Sequence, residues 1–317
     1  MLKCINFIVV LILFNCSKTP TAVEPNNELK IPGNLYSNSV QDTFKIYLDL
    51  PKNYTENNTE FYPLKILLDA DWYFDGSHYR LDEGGLIGIT HQIQIESNFP
   101  EVILLGIGYP STNHRQRDFL YPSDQISETS GGGEKFYKFI KDELIPLIDK
   151  NYRTEKENRM LIGHSYGGYF TMFSLFKERN NEQRIFTNYL AISPATYYHN
   201  RYLFNKELQQ YLEINDELDV KLYMSVGNLE WDKMMDSFKD MTIRINSRNH
   251  TRFKFKSVIY TNWNTNNNGG DEIIILDEAG FLTILNSNFI AYNNTPIEYD
   301  FEFSSAPTIS DIDQDGD

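Results

Sequence analysis

The sequence predicts an α/β fold, a mostly parallel sheet with helices on both faces, and three observations predict it. Between about residues 40 and 260, apolar β-type runs alternate with segments of helical period. The string Gly163-His164-Ser165-Tyr166-Gly167-Gly168 directly follows the apolar run Met160-Leu161-Ile162, the pattern of a strand that turns sharply into a helix. The 317 residues are 41% hydrophobic and 14% aromatic, enough to bury a substantial core in one large domain, or in a domain plus an appendage. A net charge of −15 and a pI near 4.9 argue against nucleic acid or anionic lipid as partners, because a polyanion is repelled.

In chain order, residues 1–16 carry Lys3, an apolar stretch from Ile5 to Phe14 broken by Asn6, and a terminal Cys16. This is too short to span a bilayer and fits a secretory signal. It resembles a bacterial lipoprotein signal, with Leu13-Phe14-Asn15-Cys16 as the lipobox, although Asn15 stands where a small residue is usual. The resemblance implies cleavage before Cys16, acylation of that cysteine and anchoring of an exported protein at the cell envelope. Cys4 and Cys16 both lie inside this segment, so the rest of the chain has no disulfide, thiol nucleophile or cysteine metal site. The Asn-, Pro-, Thr- and Ser-rich stretch 17–37 reads as a flexible tether.

Strands are predicted at Phe44–Leu50, Leu64–Leu68, Val102–Tyr109, Met160–Gly163, Tyr189–Ile192, Lys221–Val226 and Phe253–Tyr260, within a domain spanning 38–260. Glu134–Lys150 sets Phe136, Phe139, Ile140, Leu144, Leu147 and Ile148 at helical spacing, and Tyr166–Lys177 and Met234–Asn246 are shorter helix candidates. Sites in such sheets lie beyond the carboxyl ends of the strands. Ser165, the loop at Asp69-Ala70-Asp71-Trp72 and the turns after Ile192 and Val226 therefore converge on one rim.

A serine on a strand-to-helix turn, flanked by glycines, exposes its Oγ as a nucleophile, and the N–H of Tyr166 is one donor to the oxyanion formed. Seven blocks then appear in order over about 220 residues: Lys65-Ile66-Leu67-Leu68-Asp69-Ala70-Asp71, Arg117-Asp118-Phe119, Gly131-Gly132-Gly133-Glu134-Lys135-Phe136, Glu143-Leu144-Ile145-Pro146, Gly163–Gly168, Ile192-Ser193-Pro194 and Ser225-Val226-Gly227-Asn228-Leu229-Glu230. Together they resemble the "Putative esterase" family of α/β-hydrolases, which includes enterochelin-type siderophore esterases, feruloyl and acetylxylan esterases and S-formylglutathione hydrolases.

The resemblance implies an α/β-hydrolase fold, an acyl-enzyme on Ser165 and a second oxyanion donor in the backbone amide of Asp71, whose side chain reads otherwise as a solvated loop acid. Glu230 falls where the triad acid of such folds sits, after the predicted strand Lys221–Val226, with Asp232 as its substitute. Arg117 and Asp118 read as a buried structural ion pair, and Tyr197 and Tyr198 as lining for an acyl or aromatic pocket or as core. The base should be a histidine after the last strand, yet none occurs between Thr261 and Asp317. His164 and His250 are poorly placed, while His78, His114 and His199 lie on rim loops.

From about Thr261 the composition shifts to Asn, Asp and β-formers. Asn264-x-Asn266-x-Asn268-Gly269-Gly270 is echoed about 47 residues later by Asp311-x-Asp313-x-Asp315-Gly316-Asp317, and strands at Glu272–Leu276 and Phe281–Leu285 flank a turn at Asp277-Glu278-Ala279-Gly280. Residues 261–317 resemble one blade of an FG-GAP or VCBS propeller, whose loop implies calcium at Asp311, Asp313 and Asp315. The switch at the place expected for the histidine loop fits a fused or truncated gene product. Two functions stay open: an exported hydrolase of small-molecule or polysaccharide-linked carboxylic esters needing no cofactor for catalysis, impaired where the base is lost, or a non-catalytic hydrolase-fold module that serves, with calcium-binding propeller repeats, in adhesion or glycan capture.

Overall fold

The structure is a computed structural model that describes residues 33–51, 53–73, 101–123, 130–178, 184–214, 217–260, 273–276 and 282–285. In chain order the elements are β1 (Gly33–Ser37), β2 (Asp42–Asp49), β3 (Tyr62–Leu67), α1 (Ala70–Tyr73), β4 (Ile103–Gly108), α2 (Arg115–Phe119), α3 (Gly133–Lys138), a π-helical turn (Phe139–Leu144), α4 (Ile145–Asn151), β5 (Thr154–His164) and α5 (Tyr166–Lys177). They continue with β6 (Asn188–Ile192), α6 (Tyr198–Glu213), β7 (Lys221–Gly227), α7 (Asp232–Asn246), β8 (Lys254–Tyr260), β9 (Ile273–Leu276) and β10 (Leu282–Leu285).

Eight strands form one sheet in the order β1-β2-β4-β3-β5-β6-β7-β8. The β1–β2 and β2–β4 pairs are antiparallel and every later pair is parallel, as the alternating pattern predicts. Covering by helices on both faces shows in burial: every residue of β3, β4 and β6 is buried. All seven predicted strands are present, and β5 runs longer than its apolar stretch because Thr154–Asn158 carries the pairing outward past polar residues.

Two departures have local causes. β1 occupies the end of the stretch read as a tether, where it pairs in register with β2 from Gly33↔Ile46 to Ser37↔Asp42. Its turn is clamped by Glu143, which accepts the backbone N–H groups of Asn38 and Ser39 at 2.9 and 2.8 Å and the Ser37 hydroxyl at 3.3 Å. The predicted helix 134–150 forms, but its middle widens into a π turn before Pro146. Proline has no N–H to donate and its ring crowds the carbonyl four residues back, so the helix opens there.

An aromatic cluster joins the antiparallel edge to the helices. Phe44 of β2 stacks on Phe139 at 4.5 Å, Phe136 meets Phe170 of α5 at 5.0 Å, and Phe119 of α2 meets Phe136 at 5.3 Å. The predicted pair Arg117–Asp118 is present: Arg117 Nε and Nη2 donate to the buried Asp118 carboxylate at 2.7 and 2.9 Å, and Nη1 reaches Asp42 at 2.8 Å. Among the described residues no helix is long and apolar enough to cross a membrane. Beyond residue 260, β9 and β10 pair antiparallel with Leu282 opposite Leu276, matching the predicted hairpin. Asn264–Gly270 and Asp311, Asp313 and Asp315 lie outside the described residues, as do residues 1–32 with Cys4 and Cys16, so the propeller resemblance rests on sequence alone.

Because Tyr109 also donates to Asp118, at 3.0 Å, Asp118→Ala strips a buried hydroxyl of this acceptor and leaves the half-buried Arg117 guanidinium with Asp42 alone of its two carboxylates. The expected loss is about 2 kcal/mol in urea unfolding with the far-UV spectrum retained, reduced from the figure for a wholly buried pair by the solvent that reaches Arg117.

Candidate active site

Ser165 sits between β5 and α5 at φ 55° and ψ −111°, a left-handed conformation forced by the sharpness of the turn. The cause is close approach. A Cβ on Gly163 would lie 2.3 Å from the carbonyl carbon and oxygen of Gly167, so the strand end and the first helical turn meet backbone to backbone. The turn is bonded on both sides: Ser165 N–H donates to Ile192 O at 2.9 Å, and Ala195 N–H donates to Ser165 O at 3.1 Å. Tyr166 opens α5, where the first N–H groups have no carbonyl within the helix and can receive negative charge. Among the described residues the partly exposed Ser165 hydroxyl has no hydrogen-bond partner.

The loop after β3 is set by two buried acids. Asp69, at φ 55°, is held by Arg115, whose Nε and Nη2 donate to its two oxygens at 2.9 Å each. Burial pushes the Asp69 carboxyl above its ordinary value, and Arg115 opposes that shift. Nη2 of Arg115 also donates to His164 O at 3.2 Å, tying this loop to the serine turn. Asp71 is buried rather than solvated; it accepts the Tyr47 hydroxyl at 2.7 Å and the Tyr109 N–H at 2.6 Å. Gly108 is required beside it, since a Cβ there would fall 2.5 Å from both carboxylate oxygens.

Glu230 follows β7 and is buried, accepting the Ser193 hydroxyl at 3.2 Å. Ser193, at φ 39°, is the third strained residue at the ends of neighbouring strands. Asp232, the substitute acid, is exposed as the first residue of α7. Tyr198 packs in the core against Tyr169, ring centres 5.4 Å apart, while Tyr197 lines the rim. Burial first, and then the neighbouring Tyr166 and Glu230, push the Tyr197 phenol up to about 12, so Tyr197, Tyr166 and Glu230 share one electrostatic environment.

The histidines divide. His164, at the serine turn, is pulled down to about 3 by burial and then by Arg115; it stays neutral at working pH, and its buried Nε2 has no partner among the described residues. The His114 ring lies edge-on to Tyr109 and 3.9 Å from Asp42. His199 packs between Tyr198 and Tyr202, and His250 between Tyr211 and Phe253. His78 lies outside the described residues. Among the described residues no group of three or more His, Cys, Asp or Glu side chains could hold a metal ion.

Arg115 escaped the sequence reading. The signal was the triplet Arg115-Gln116-Arg117: on one turn of helix the two guanidinium groups point to opposite sides, one to Asp69 and the other to Asp118 and Asp42.

A family model described as "Putative esterase" matches residues 37–266, most of the chain and all the site loops above. The chain belongs to that family. This esterase is 24% identical over 249 residues to ferri-bacillibactin esterase BesA of Bacillus subtilis, an alignment spanning 69% of the chain and 80% of BesA. It is 30% identical over 117 residues to a siderophore enterobactin esterase of Emericella nidulans, covering 31% of the chain and only 37% of that relative. Among solved structures, BES protein from Bacillus cereus superposes with a TM-score of 0.61 at 25% identity, covering 76% of this chain and 92% of the other. An IroE-like serine hydrolase from Shewanella oneidensis matches with a TM-score of 0.61 at 21% identity over 74% of each chain, a likeness of fold alone. The fold is therefore the α/β-hydrolase kind that the seven blocks imply.

Arg115→Ala leaves the fully buried Asp69 carboxylate without its described cationic partner, at an expected cost of about 3 kcal/mol. Adding Asp69→Asn should recover part of that loss. In a urea double-mutant cycle the pair is expected to cost at least about 1 kcal/mol less than the two single changes added, and strict additivity would refute the coupling.

Proposed function

We propose that this esterase cleaves carboxylic esters through an acyl-enzyme on Ser165, and that it acts on small-molecule esters. The supporting observation is the serine turn itself: a strained hydroxyl at the carboxyl edge of the sheet, beside the unshared N–H groups of a helix start. In this reading Ser165 Oγ adds to the ester carbonyl while its proton passes to a base, and the carbonyl π pair moves onto oxygen. The N–H groups of Tyr166 and Asp71 bind that oxyanion. Its collapse expels the alkoxide, which leaves as the alcohol after taking a proton, and water then repeats the sequence to release the acid.

Glu230 has the burial and fixed orientation that a supporting acid needs to hold an imidazolium. No described imidazole is bonded to Ser165, so the rim histidines His78, His114 and His199 are the candidate bases to test, His78 first. The ester substrates named for BesA and the enterobactin esterase support a small-molecule substrate. The apolar stretch Ile5–Phe14 followed by Cys16 supports export and lipid anchoring, and Asp311, Asp313 and Asp315 are the proposed calcium ligands.

A fluorophosphonate probe is expected to label the full chain at one residue, with labelling lost in Ser165→Ala and short-chain ester turnover lost with it. His78→Ala should slow both by at least about a hundredfold if it is the base. A folded wild type that neither labels nor turns over any ester refutes the reading and leaves a binding module. In a bacterial host fed a palmitate analogue, the lipid label should be absent from Cys16→Ser; an unlabelled wild type would refute the anchor.

A further inference from the structure

We propose that Tyr47, on the antiparallel side of the sheet, is a positioning residue for the reaction: through the Asp71 carboxylate, its hydroxyl holds the Asp71 backbone N–H where the ester oxyanion forms. The proposal rests on the esterase reading and adds to it a residue outside the loops around Ser165. Tyr47 lies in β2, opposite Gly106 of β4, and β4 separates it from β3, whose loop carries Asp71. The side chain spans that distance. Its hydroxyl donates to Asp71 Oδ1 at 2.7 Å, while the Tyr109 N–H, just past the end of β4, donates to Oδ2 at 2.6 Å. Tyr47 and Asp71 are both buried.

The clamp leaves the carboxylate little freedom. Each oxygen has a donor from a different stretch of chain, and the space beside them exists only because Gly108 has no side chain, since a Cβ there would stand 2.5 Å from both. The clamp also works against a load. Asp69 is two residues away, and burial first, then the charge of Asp71, push its carboxyl up, so the two acids repel each other. Arg115 restrains Asp69, and Tyr47 restrains Asp71. A buried carboxylate that loses a donor shifts toward another, and the N–H of the same residue moves with it. Oxyanion donors work only when held within roughly 0.5 Å of their place, so a displacement too small to unfold the loop still costs rate.

Tyr47→Phe keeps the ring and removes only the donor. In the full chain, kcat/KM for a short-chain nitrophenyl ester, counted per serine titrated by the fluorophosphonate, is expected to fall about five- to thirtyfold. Affinity for a trifluoromethyl ketone should fall by the same factor, because Ser165 Oγ adds to its carbonyl, passes its proton to the base and leaves a charged tetrahedral oxygen. Binding of the nitrophenyl ester to Ser165→Ala, followed by saturation-transfer NMR, should not change when Tyr47→Phe is added. On an Asp71→Asn background, where the uncharged side chain needs a donor less, Tyr47→Phe should cost under about threefold. An active wild type whose Tyr47→Phe form keeps its kcat/KM and ketone affinity overturns the positioning role and leaves the hydrolase reading standing, as does a loss of equal size in Asp71→Asn. Activity lost only through fewer titratable sites or a lower thermal midpoint marks a structural role and overturns it too. A wild type that neither labels nor binds the ketone overturns the esterase reading, and the positioning role falls with it.

Discussion

The constraint on which this site depends is the contact between Gly163 and Gly167. With 2.3 Å between a would-be Cβ on Gly163 and the Gly167 carbonyl, the end of β5 and the start of α5 meet backbone to backbone, and any side chain at 163 would force them apart. Between them the chain has one residue in which to reverse, and a positive φ at Ser165 is the geometric result. The same reversal places the serine beside the orphan N–H groups of a helix start. Exposure of the hydroxyl, strain in its backbone and a local positive potential thus have a single cause.

That strain is shared along the edge. Asp69, Ser165 and Ser193 end the neighbouring strands β3, β5 and β6, and each has a positive φ without being glycine. At roughly 1–3 kcal/mol per residue, three such conformations together approach the net stability of a whole domain, about 5–15 kcal/mol. They persist because each is fixed from outside its own loop: Asp69 by Arg115, Ser165 by Ile192 and Ala195, and Ser193 by Ser225 and Glu230. Arg115 matters most, since one side chain bonds both the β3 loop and the carbonyl of His164. Disturbance of one loop is thereby transmitted to the serine turn.

Much of this was legible in the sequence because the signals are local. A parallel strand buried on both faces is an unbroken apolar run, and the glycines around Ser165 mark a turn that no other residue type permits. β1 was missed because an edge strand of five residues, Gly33–Ser37, has only one neighbour and carries little hydrophobic pattern; its placement comes from Glu143, more than a hundred residues away. α6 was missed because its polar sequence shows no strong apolar stripe and His199, Asn200 and Arg201 break its first turn with left-handed conformations. The alternative reading of the Asp71 side chain, a solvated loop acid, fails because nothing in its neighbourhood reveals the hydroxyl of Tyr47 and the amide of Tyr109 that it accepts from in the interior. Pairings across the sheet are long-range facts, and composition and period do not carry them.

The placement of Glu230 follows from the same economy of burial. A carboxylate 5% exposed is costly unless bonded, and its bond to Ser193 fastens it to the loop that also bonds the serine turn. In the turn after β7 the residues on either side of it, Leu229 and Trp231, are about half exposed while Glu230 is buried. One short segment therefore sets an acid under the rim and apolar surface on it. In this geometry the acid and the exposed residues beside it share one turn, so a shift of that turn reaches Ser193 and, through its loop, the serine turn.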